Sequence, residues 1–375
     1  MKMIAKAIII LFLLLGNAFV KVGDAAITHH ITDAEGISGK VIFVDAQLER
    51  AVKRALRDAG LKKQLTIKNL RALESLECDK RGVLDLSGLE LCTGLKVLDL
   101  RQNKIENLKP LMGLAKLHTL ILSNNRIIDL KPLSDMQSLK VLYLSHNQIV
   151  NLAPLAHLKN LKTLNAEQNN IIEIGPLSGM TSLEILDIEN NTVTNFEPLG
   201  KLEKLRWLDL RDCRISEITS LGKIESLQEL FLDGNQITDI TPLAILVKLT
   251  DLCVENNRIE TLGDLAGLRN LTYLSLRGNR IQDISTLSNM KQLTHVVMNK
   301  NQIVDISPLE GLLKLQKLDL YGNKVVDLTP LVNNAHNGGL GSQRRNEVNV
   351  GGNPLSATAQ DVQVKQLKAA GIRVL

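Results

Sequence analysis

The side chains best suited to binding another molecule recur in this sequence at a spacing of 22 residues. Carboxylates fall at four recurring positions of that spacing: Glu167, Asp187, Glu189, Asp209, Asp212, Glu229, Asp233, Asp251 and Glu255. Aromatic residues occupy the same four positions elsewhere along the chain: Tyr143, Trp207, Phe231, Tyr273 and Tyr321. Arg211 is the one basic residue among the acidic set. Acidic and aromatic side chains together suit a basic protein, or the hydroxyls and ring faces of a sugar. Converging carboxylates could also hold calcium, although no spaced D-x-D loop supports this.

The same sequence offers little for catalysis. His146 and His295 lie about seven repeats apart and cannot cooperate, and the other histidines are scattered. We find no Ser-His-Asp arrangement, metal-ligand spacing or phosphate-binding glycine loop. Asp187 and Asp209 could pair as acid and base, but an open sheet rarely excludes the water that such a pair must control. We therefore expect no enzymatic activity and no cofactor or bound metal.

A repeat of 22 residues must position these side chains. Asn recurs in one register, at positions 103, 125, 147, 169, 191, 235, 257, 279, 301 and 323, and Cys213 fills the missing place. The first full unit reads Leu95-x-x-Leu98-x-Leu100-x-x-Asn103-x-Ile105-x-x-Leu108-x-Pro110-Leu111-x-x-Leu114. This is the leucine-rich-repeat signature.

The unit predicts an α/β leucine-rich-repeat solenoid. Leu98 and Leu100 alternate with outward residues, which indicates a strand with one buried face, so the repeats should build a curved parallel β-sheet. We call the outward side of its strands the concave face; it carries the acidic and aromatic residues above. The Pro-Leu segment should return the chain in short turns or 3-10 segments on the convex side, because proline forbids a long helix there. Each repeated Asn should be buried and satisfy backbone groups of the turn.

The chain divides into four predicted segments. Residues 1–25 resemble an export signal, because Lys2 and Lys6 precede the apolar run 7–15 and small residues follow at 16–18 and 23–25. That run is too short for a stable membrane span, although an uncleaved anchor is the alternative. Residues 26–72 should form an N-terminal helical cap, residues 73–345 about 12 repeats, and residues 346–375 a C-terminal cap. The product should be exported, either secreted or periplasmic.

The caps have their own local signals. Asp45 should begin a helix over residues 45–56, and a second helix is predicted over residues 66–76, leading into a degenerate repeat with Arg81 at the Asn position. The insert at 333–346 breaks the register by eight residues and is predicted to be a mobile loop, in which Arg344 and Arg345 could form a second contact. Ser356 should cap a last helix that ends near Ala370 and Gly371.

The four cysteines have different predicted environments. Cys78 and Cys92 fall at inward positions and could form a disulfide in an oxidising compartment. Cys213 replaces the repeated Asn and should be structural. Cys253 falls at an outward strand position, so we expect a free, exposed thiol on the concave face.

The repeat also resembles a known family. The 22-residue unit with Pro-Leu on the return, preceded by Leu86-Ser87-Gly88-Leu89-Glu90, resembles bacterial internalins, as does the segment Ile42-Phe43-x-Asp45-x-x-Leu48. The resemblance covers about residues 41–375 and implies an exported protein that binds host surface proteins on its concave face. No immunoglobulin-like extension, cell-wall repeat or sorting signal accompanies the repeats, unlike in the surface-anchored members. The same repeat class occurs in the leucine-rich regulatory subunit of type-1 protein phosphatase.

These features predict an exported protein that binds another protein through its concave face, the partner having a basic surface. A cell-envelope glycan is an alternative ligand for the same face. A regulatory subunit of a type-1-like protein phosphatase is the alternative if the chain is not exported. The net charge of +5 comes without a clustered basic stripe, so we expect no nucleic-acid partner.

Overall fold

The computed structural model describes residues 43–61, 64–342 and 346–375, and the backbone of two short strands before them. Those strands, β1 (Ile31–Thr32) and β2 (Ser38–Gly39), pair antiparallel. The predicted signal segment 1–25 lies outside the described residues. Two compact units are present, Met1–Arg126 and Ile127–Leu375. Within the described residues, no helix is both long and apolar enough to cross a membrane.

The first unit begins with the predicted helical cap. Helix α1 (Ala46–Asp58) starts at Asp45, whose Oδ1 accepts the backbone N–H of Gln47 at 2.9 Å. Helix α2 (Ile67–Ala72) starts at Thr66 but is shorter than the predicted range of 66–76. It ends early because the carbonyl of Glu74 accepts the N–H of Lys96 at 2.7 Å, which draws the following residues into a strand.

Three parallel strands follow in the first unit: β3 (Ser75–Glu77), β4 (Val97–Asp99) and β5 (Thr119–Ile121). Neighbouring strands pair in register at a spacing of 22 residues, as Leu76 with Leu98 and Leu98 with Leu120. These leucines are fully buried, while the residues on either side of them face outward. The short returns are 3-10 turns at Leu89–Leu91 and Lys109–Leu111.

The second unit continues the pattern as a parallel sheet. Its strands are β6 (Val141–Tyr143), β7 (Thr163–Asn165), β8 (Ile185–Asp187), β9 (Trp207–Asp209), β10 (Glu229–Phe231), β11 (Asp251–Cys253), β12 (Tyr273–Ser275), β13 (His295–Val297), β14 (Lys317–Asp319), β15 (Glu347–Asn349) and β16 (Arg373–Val374). Pairing keeps the 22-residue spacing until Lys317 meets Glu347, 30 residues later. The predicted eight-residue break of register is therefore confirmed.

The returns of the second unit are mostly 3-10 turns, as the Pro-Leu segments predicted. They span Lys131–Leu133, Ala153–Leu155, Gly175–Gly179, Glu197–Lys201, Thr219–Lys223, Thr241–Ile245, Leu265–Gly267, Ser285–Asn289 and Ser307–Leu309. One return was predicted wrongly: helix α3 (Thr329–His336) runs for eight residues with Pro330 in its first turn. A proline there costs no hydrogen bond, since the first N–H groups of a helix have no partner within it.

That helix takes up the first part of the predicted loop 333–346. Asn334 is fully buried, and its Nδ2 donates to the carbonyl of Leu309 at 3.1 Å. This first part of the insert is thus helical and packed against the repeats, not a loop. Arg344 and Arg345 lie outside the described residues.

The C-terminal cap agrees with its predicted start and stop. The hydroxyl of Ser356 accepts the N–H of Ala359 at 3.1 Å, and a π-helical turn (Ala359–Gln363) leads into helix α4 (Val364–Ala369). Gly371 follows with a φ of 84°, the left-handed conformation that glycine adopts without steric cost.

The repeated Asn side chains form the predicted buried hydrogen bonds. Asn169 is typical: its Nδ2 donates to the carbonyls of Leu144 and Ala166 at 3.0 Å, and its Oδ1 accepts the N–H of Ile149 at 3.0 Å. The asparagine therefore joins two successive turns. Cys213 occupies the same place, and its Sγ donates to the carbonyl of Ile188 at 3.3 Å.

The cysteines are buried and free. Cys78 and Cys92 face inward as predicted, and both are unpaired thiols rather than halves of a disulfide. Cys253 was predicted wrongly as exposed: only 3% of its surface is accessible. It lies between Phe231 and Ser275 on the two neighbouring strands, and side chains at the strand spacing of about 4.8 Å cover it.

Candidate functional site

The concave face of the second unit carries side chains in rows that run across the strands. The first row holds the first residue of each strand, and the middle row holds the third. Because paired residues are 22 apart, each row places equivalent residues of successive repeats side by side, about 4.8 Å apart. The middle row is buried from β8 to β12, where it consists of Asp187, Asp209, Phe231, Cys253 and Ser275.

Trp207 and Phe231 form the aromatic centre of this face. Their ring centroids are 5.4 Å apart at an interplanar angle of 47°, and the Arg211 guanidinium lies 5.9 Å from the centroid of Phe231. Trp207 is half-buried in the first row, whereas Phe231 is only 3% exposed. Phe231, predicted at an outward position of the binding face, is therefore buried instead of accessible. It lies in the middle row, and its ring packs against that of Trp207.

Arg211 is the counter-ion of the acidic residues beside this centre. Its Nε donates to Asp209 at 2.8 Å, and its Nη2 lies 2.6 Å from Glu189. Asp209, at a predicted outward position, is fully buried beneath this contact. Carboxylate oxygens of Asp187, Glu189 and Asp209 lie within 4.8 Å of one another, which is close enough to hold a cation. The guanidinium already supplies positive charge there.

Burial changes the charge of this acidic set. Burial, and then the neighbouring Asp209, raise the pKa of Asp187 to about 8. Burial is also the main cause that raises the pKa of Glu189 to about 7 and that of Asp233 to about 7. A share of these groups therefore holds a proton at neutral pH, so that the face is less negative than its composition suggests. Asp187, only 8% exposed, was also predicted to be accessible.

Of the other acidic residues of the predicted set, Asp212 is exposed and the rest are half-buried. Glu255 accepts the hydroxyl of Ser275 at 2.6 Å, and its own N–H donates to Asp233 Oδ1 at 2.6 Å. Glu167 lies 3.8 Å from His146. Glu229 and Asp251 face each other across β10 and β11 in the first row. Four half-buried carboxylates therefore surround the aromatic centre on the side of β10 and β11: Glu229, Asp233, Asp251 and Glu255.

The remaining predicted aromatic residues are not part of this centre. Tyr143 is half-buried on β6, three strands before Trp207. Tyr273 stacks on His295 at 6.2 Å, with an interplanar angle of 26°. Tyr321 follows β14 and is 45% exposed. The five aromatic residues at outward repeat positions therefore do not form one cluster: Trp207 and Phe231 lie together, and the other three lie elsewhere on the face.

Comparisons with known proteins identify the family. A profile described as a leucine-rich repeat region matches residues 161–334, and a profile for two leucine-rich repeats matches residues 115–157. An internalin (InlF) from Listeria monocytogenes shares 30% sequence identity and a TM-score of 0.67, over 78% of this chain and 93% of that protein. The chain belongs to the internalin-like leucine-rich-repeat family. A search of curated proteins gave no match.

Two other solved structures share the fold. A leucine-rich-repeat protein of Leptospira interrogans has a TM-score of 0.69 at 21% identity, over 82% of this chain and 85% of that one. The leucine-rich-repeat ectodomain of an Arabidopsis thaliana membrane receptor kinase, in complex with Casparian strip integrity factor 2, has a TM-score of 0.60 at 25% identity. That match covers 70% of this chain and 34% of the receptor. Leucine-rich-repeat proteins of this type generally mediate protein–protein interactions and are typically not enzymes.

The prediction missed several polar residues of the same face. Asn165 donates to Asp187 Oδ2 at 2.7 Å, and His295, Lys317 and Asp319 line the face beyond Tyr273. Each lies at a position that the 22-residue spacing identifies as outward. They were missed because only aromatic residues and a run of carboxylates were selected, and these residues belong to neither class or lie outside that run.

Proposed function

We propose that this chain is an exported protein that binds a partner with a basic surface on the concave face, around Trp207. The observation that carries the proposal is the aromatic centre with its surrounding carboxylates. Trp207 is a large, partly accessible side chain held by Phe231 at 5.4 Å. Tryptophan in such a supported position is the residue type that most often dominates the energy of a protein interface.

The packing beneath Trp207 favours tight binding. Phe231 is buried, and Arg211 is tied to Asp209 and Glu189, so neither support has to be ordered when a partner arrives. A preorganised anchor costs less conformational entropy on binding than a mobile one. The half-buried carboxylates beside it then favour lysine or arginine on the partner, and their field speeds the encounter.

Export is the second part of the proposal. It rests on the basic and apolar pattern of residues 1–25, and a protein of this family needs access to a partner outside the cell that makes it. The N-terminus of the protein recovered from culture medium or periplasm should begin near residue 19 or 26. An intact N-terminus on cytoplasmic protein would contradict export and favour the alternative of a phosphatase regulatory subunit.

A pull-down with Trp207→Ala tests the binding surface. We expect the parent chain to retain a protein from envelope or host extracellular material, and Trp207→Ala to lose it. Truncating an interface hot spot costs about 2 kcal/mol or more, which is about thirtyfold in Kd. Retention should also weaken as salt rises from about 0.05 M to 0.5 M, since the Debye length falls below 5 Å.

Tyr321→Ala is the matched control. It removes an exposed aromatic side chain of the same face, outside the aromatic centre, so partner binding should persist. Circular dichroism of both variants establishes that they fold as the parent does. If Trp207→Ala retains the partner as well as Tyr321→Ala does, the aromatic centre is not the binding surface. A salt-independent interaction would contradict a basic partner.

A further inference from the structure

A groove of about 310 Å³ lies on the concave face at strands β12 to β15. It arises because the side chains of the middle row become more accessible there. From β8 to β12 that row is buried, but its next members, Val297, Asp319 and Asn349, are half-buried and line the groove. Tyr273, His295 and Lys317 of the first row form one side of it. The groove is thus separate from the aromatic centre at β9 and β10.

The end of the groove at β12 and β13 is largely apolar and fixed in position. Tyr273 and His295 stack with centroids 6.2 Å apart, and Val297 lies next to Asp319 in the middle row. The Nδ1 atom of His295 is 2.9 Å from the Thr294 hydroxyl, which sets the orientation of the imidazole. Burial, and then the charge of Lys317, lower the pKa of His295, so the ring is neutral at pH 7 and its Nε2 can either donate or accept.

The end of the groove at β14 and β15 presents polar atoms that the protein does not use. Asp319 Oδ1 accepts the N–H of Tyr321 at 3.0 Å, and Asn349 Oδ1 accepts the N–H of Gly351 at 3.2 Å. These bonds orient both side chains. In the part of the chain that the structure describes, the second oxygen of Asp319, the amide nitrogen of Asn349 and the ammonium of Lys317 have no hydrogen-bond partner. These three residues line the groove, so one acceptor and two donors are available there.

We propose that this groove binds an uncharged saccharide of one or two rings. A sugar hydroxyl both donates and accepts, so it suits a wall on which acceptors and donors alternate. The C–H face of the ring suits the surface made by Tyr273, His295 and Val297. Small-molecule sites span about 300–1,000 Å³. A volume of 310 Å³ is at the lower end of that range, as a small ligand requires.

The charges of the groove favour an uncharged ligand. Lys317 and Asp319 on β14 carry opposite charges. Glu347 forms an ion pair with Arg373, with 2.9 Å between Oε2 and Nη1. A cationic side chain of a partner protein would therefore meet Lys317, and an anionic one would meet Asp319. Around Trp207 the carboxylates outnumber their one counter-ion, Arg211. The two parts of the face thus differ in the class of ligand they fit, and the saccharide proposal does not depend on the protein partner.

Saturation-transfer NMR with the full chain tests the proposal. The probes are the methyl glycosides of glucose, galactose, mannose and N-acetylglucosamine, each at about 50 mM, far above the millimolar Kd expected for one ring. Two variants change single atoms of the groove: Asp319→Asn turns the free acceptor into a donor, and Asn349→Asp turns the free donor into an acceptor. Both variants keep the Oδ1 atom that accepts the backbone N–H.

We expect at least one glycoside to bind the parent chain, and each groove variant to weaken that binding about tenfold. Asp99→Asn makes the same change at the same repeat position of the first unit, outside the groove, and should leave glycoside binding unchanged. Absence of saturation transfer from all four probes would overturn the proposal. So would equal binding by parent and groove variants, or displacement of the bound glycoside by an arginine-rich peptide.

Discussion

Replacing Cys213 with asparagine should stabilise the protein. In the two neighbouring repeats the asparagine Oδ1 accepts a backbone N–H. Asn235 Oδ1 accepts that of Ile215 at 2.9 Å, and Asn191 Oδ1 accepts that of Ile171 at 2.9 Å. The equivalent donor for Cys213 is the N–H of Val193, which has no acceptor among the described residues. The Cys213 thiol can donate a hydrogen bond, as the asparagine amide does. It has no carbonyl oxygen that could accept the N–H of Val193.

The expected gain is about 1 kcal/mol in the free energy of unfolding. One buried hydrogen bond contributes about 0.5–1.5 kcal/mol, and a backbone N–H left without an acceptor costs about 1–3 kcal/mol. Steric cost should be small, because Asn191 and Asn235 occupy the same place in the adjacent turns, at 3% and 6% exposure. The amide of the new asparagine would also strengthen the contact to Ile188, which Sγ now makes at 3.3 Å.

Urea denaturation followed by circular dichroism measures the change. The midpoint should rise for Cys213→Asn while the slope stays constant, since the surface exposed on unfolding is the same. Asn235→Cys is the matched reverse change; it removes the acceptor for the N–H of both Ile215 and Cys213 and should lower the midpoint. If Asn235→Cys lowers the midpoint and Cys213→Asn does not raise it, the N–H of Val193 does not destabilise the protein by lacking an acceptor, and the prediction is refuted.

Two further predictions concern titratable groups. Burial raises the pKa of Asp187 to about 8, and that of Glu189 and of Asp233 to about 7, above their ordinary values. The folded chain then binds more protons than the unfolded one, so the free energy of unfolding should fall as pH rises from about 5 to 8. Urea denaturation at both pH values measures it; Asp187→Asn should flatten the dependence, and greater stability at pH 8 would contradict the prediction. The four thiols are buried, so the native chain should resist a thiol reagent at pH 8 and react fully in urea. Rapid reaction of Cys253 in the native chain would show that it is exposed after all.

The sequence predicted the fold almost completely because the repeat constrains it at every level. Inward leucines, the buried asparagine and the Pro-Leu return all recur at 22 residues, so that one unit defines the rest. The errors lie at the ends, where no repeat applies. Helix α2 ends at Ala72 because the residues after it form backbone hydrogen bonds with the next strand. Helix α3 has Pro330 in its first turn and extends into the insert, which supplies the residues for the remaining turns. Neither cause is visible in a local pattern.

The candidate site was predicted less completely, for a physical reason. The 22-residue spacing indicates that a side chain points outward, but its accessibility depends on its neighbours on the two adjacent strands. Phe231, Asp209 and Cys253 point outward and are nevertheless buried, because the middle row is covered along β8 to β12. The raised pKa values follow from the same burial, so the charge of the face could not be read from its composition.

The two ligand classes that we propose fit different parts of one solenoid face. The inward residues of every repeat must fill the same interior, whereas those on the concave face can differ from strand to strand. Phe231 fills the middle row at β10 and packs against Trp207 of the first row, which we propose as the anchor for a protein partner. Val297, Asp319 and Asn349 of the same row are half-buried at β13 to β15 and line the groove that we propose for a saccharide. The two proposed sites thus differ in whether the middle row is covered by its neighbours or left accessible.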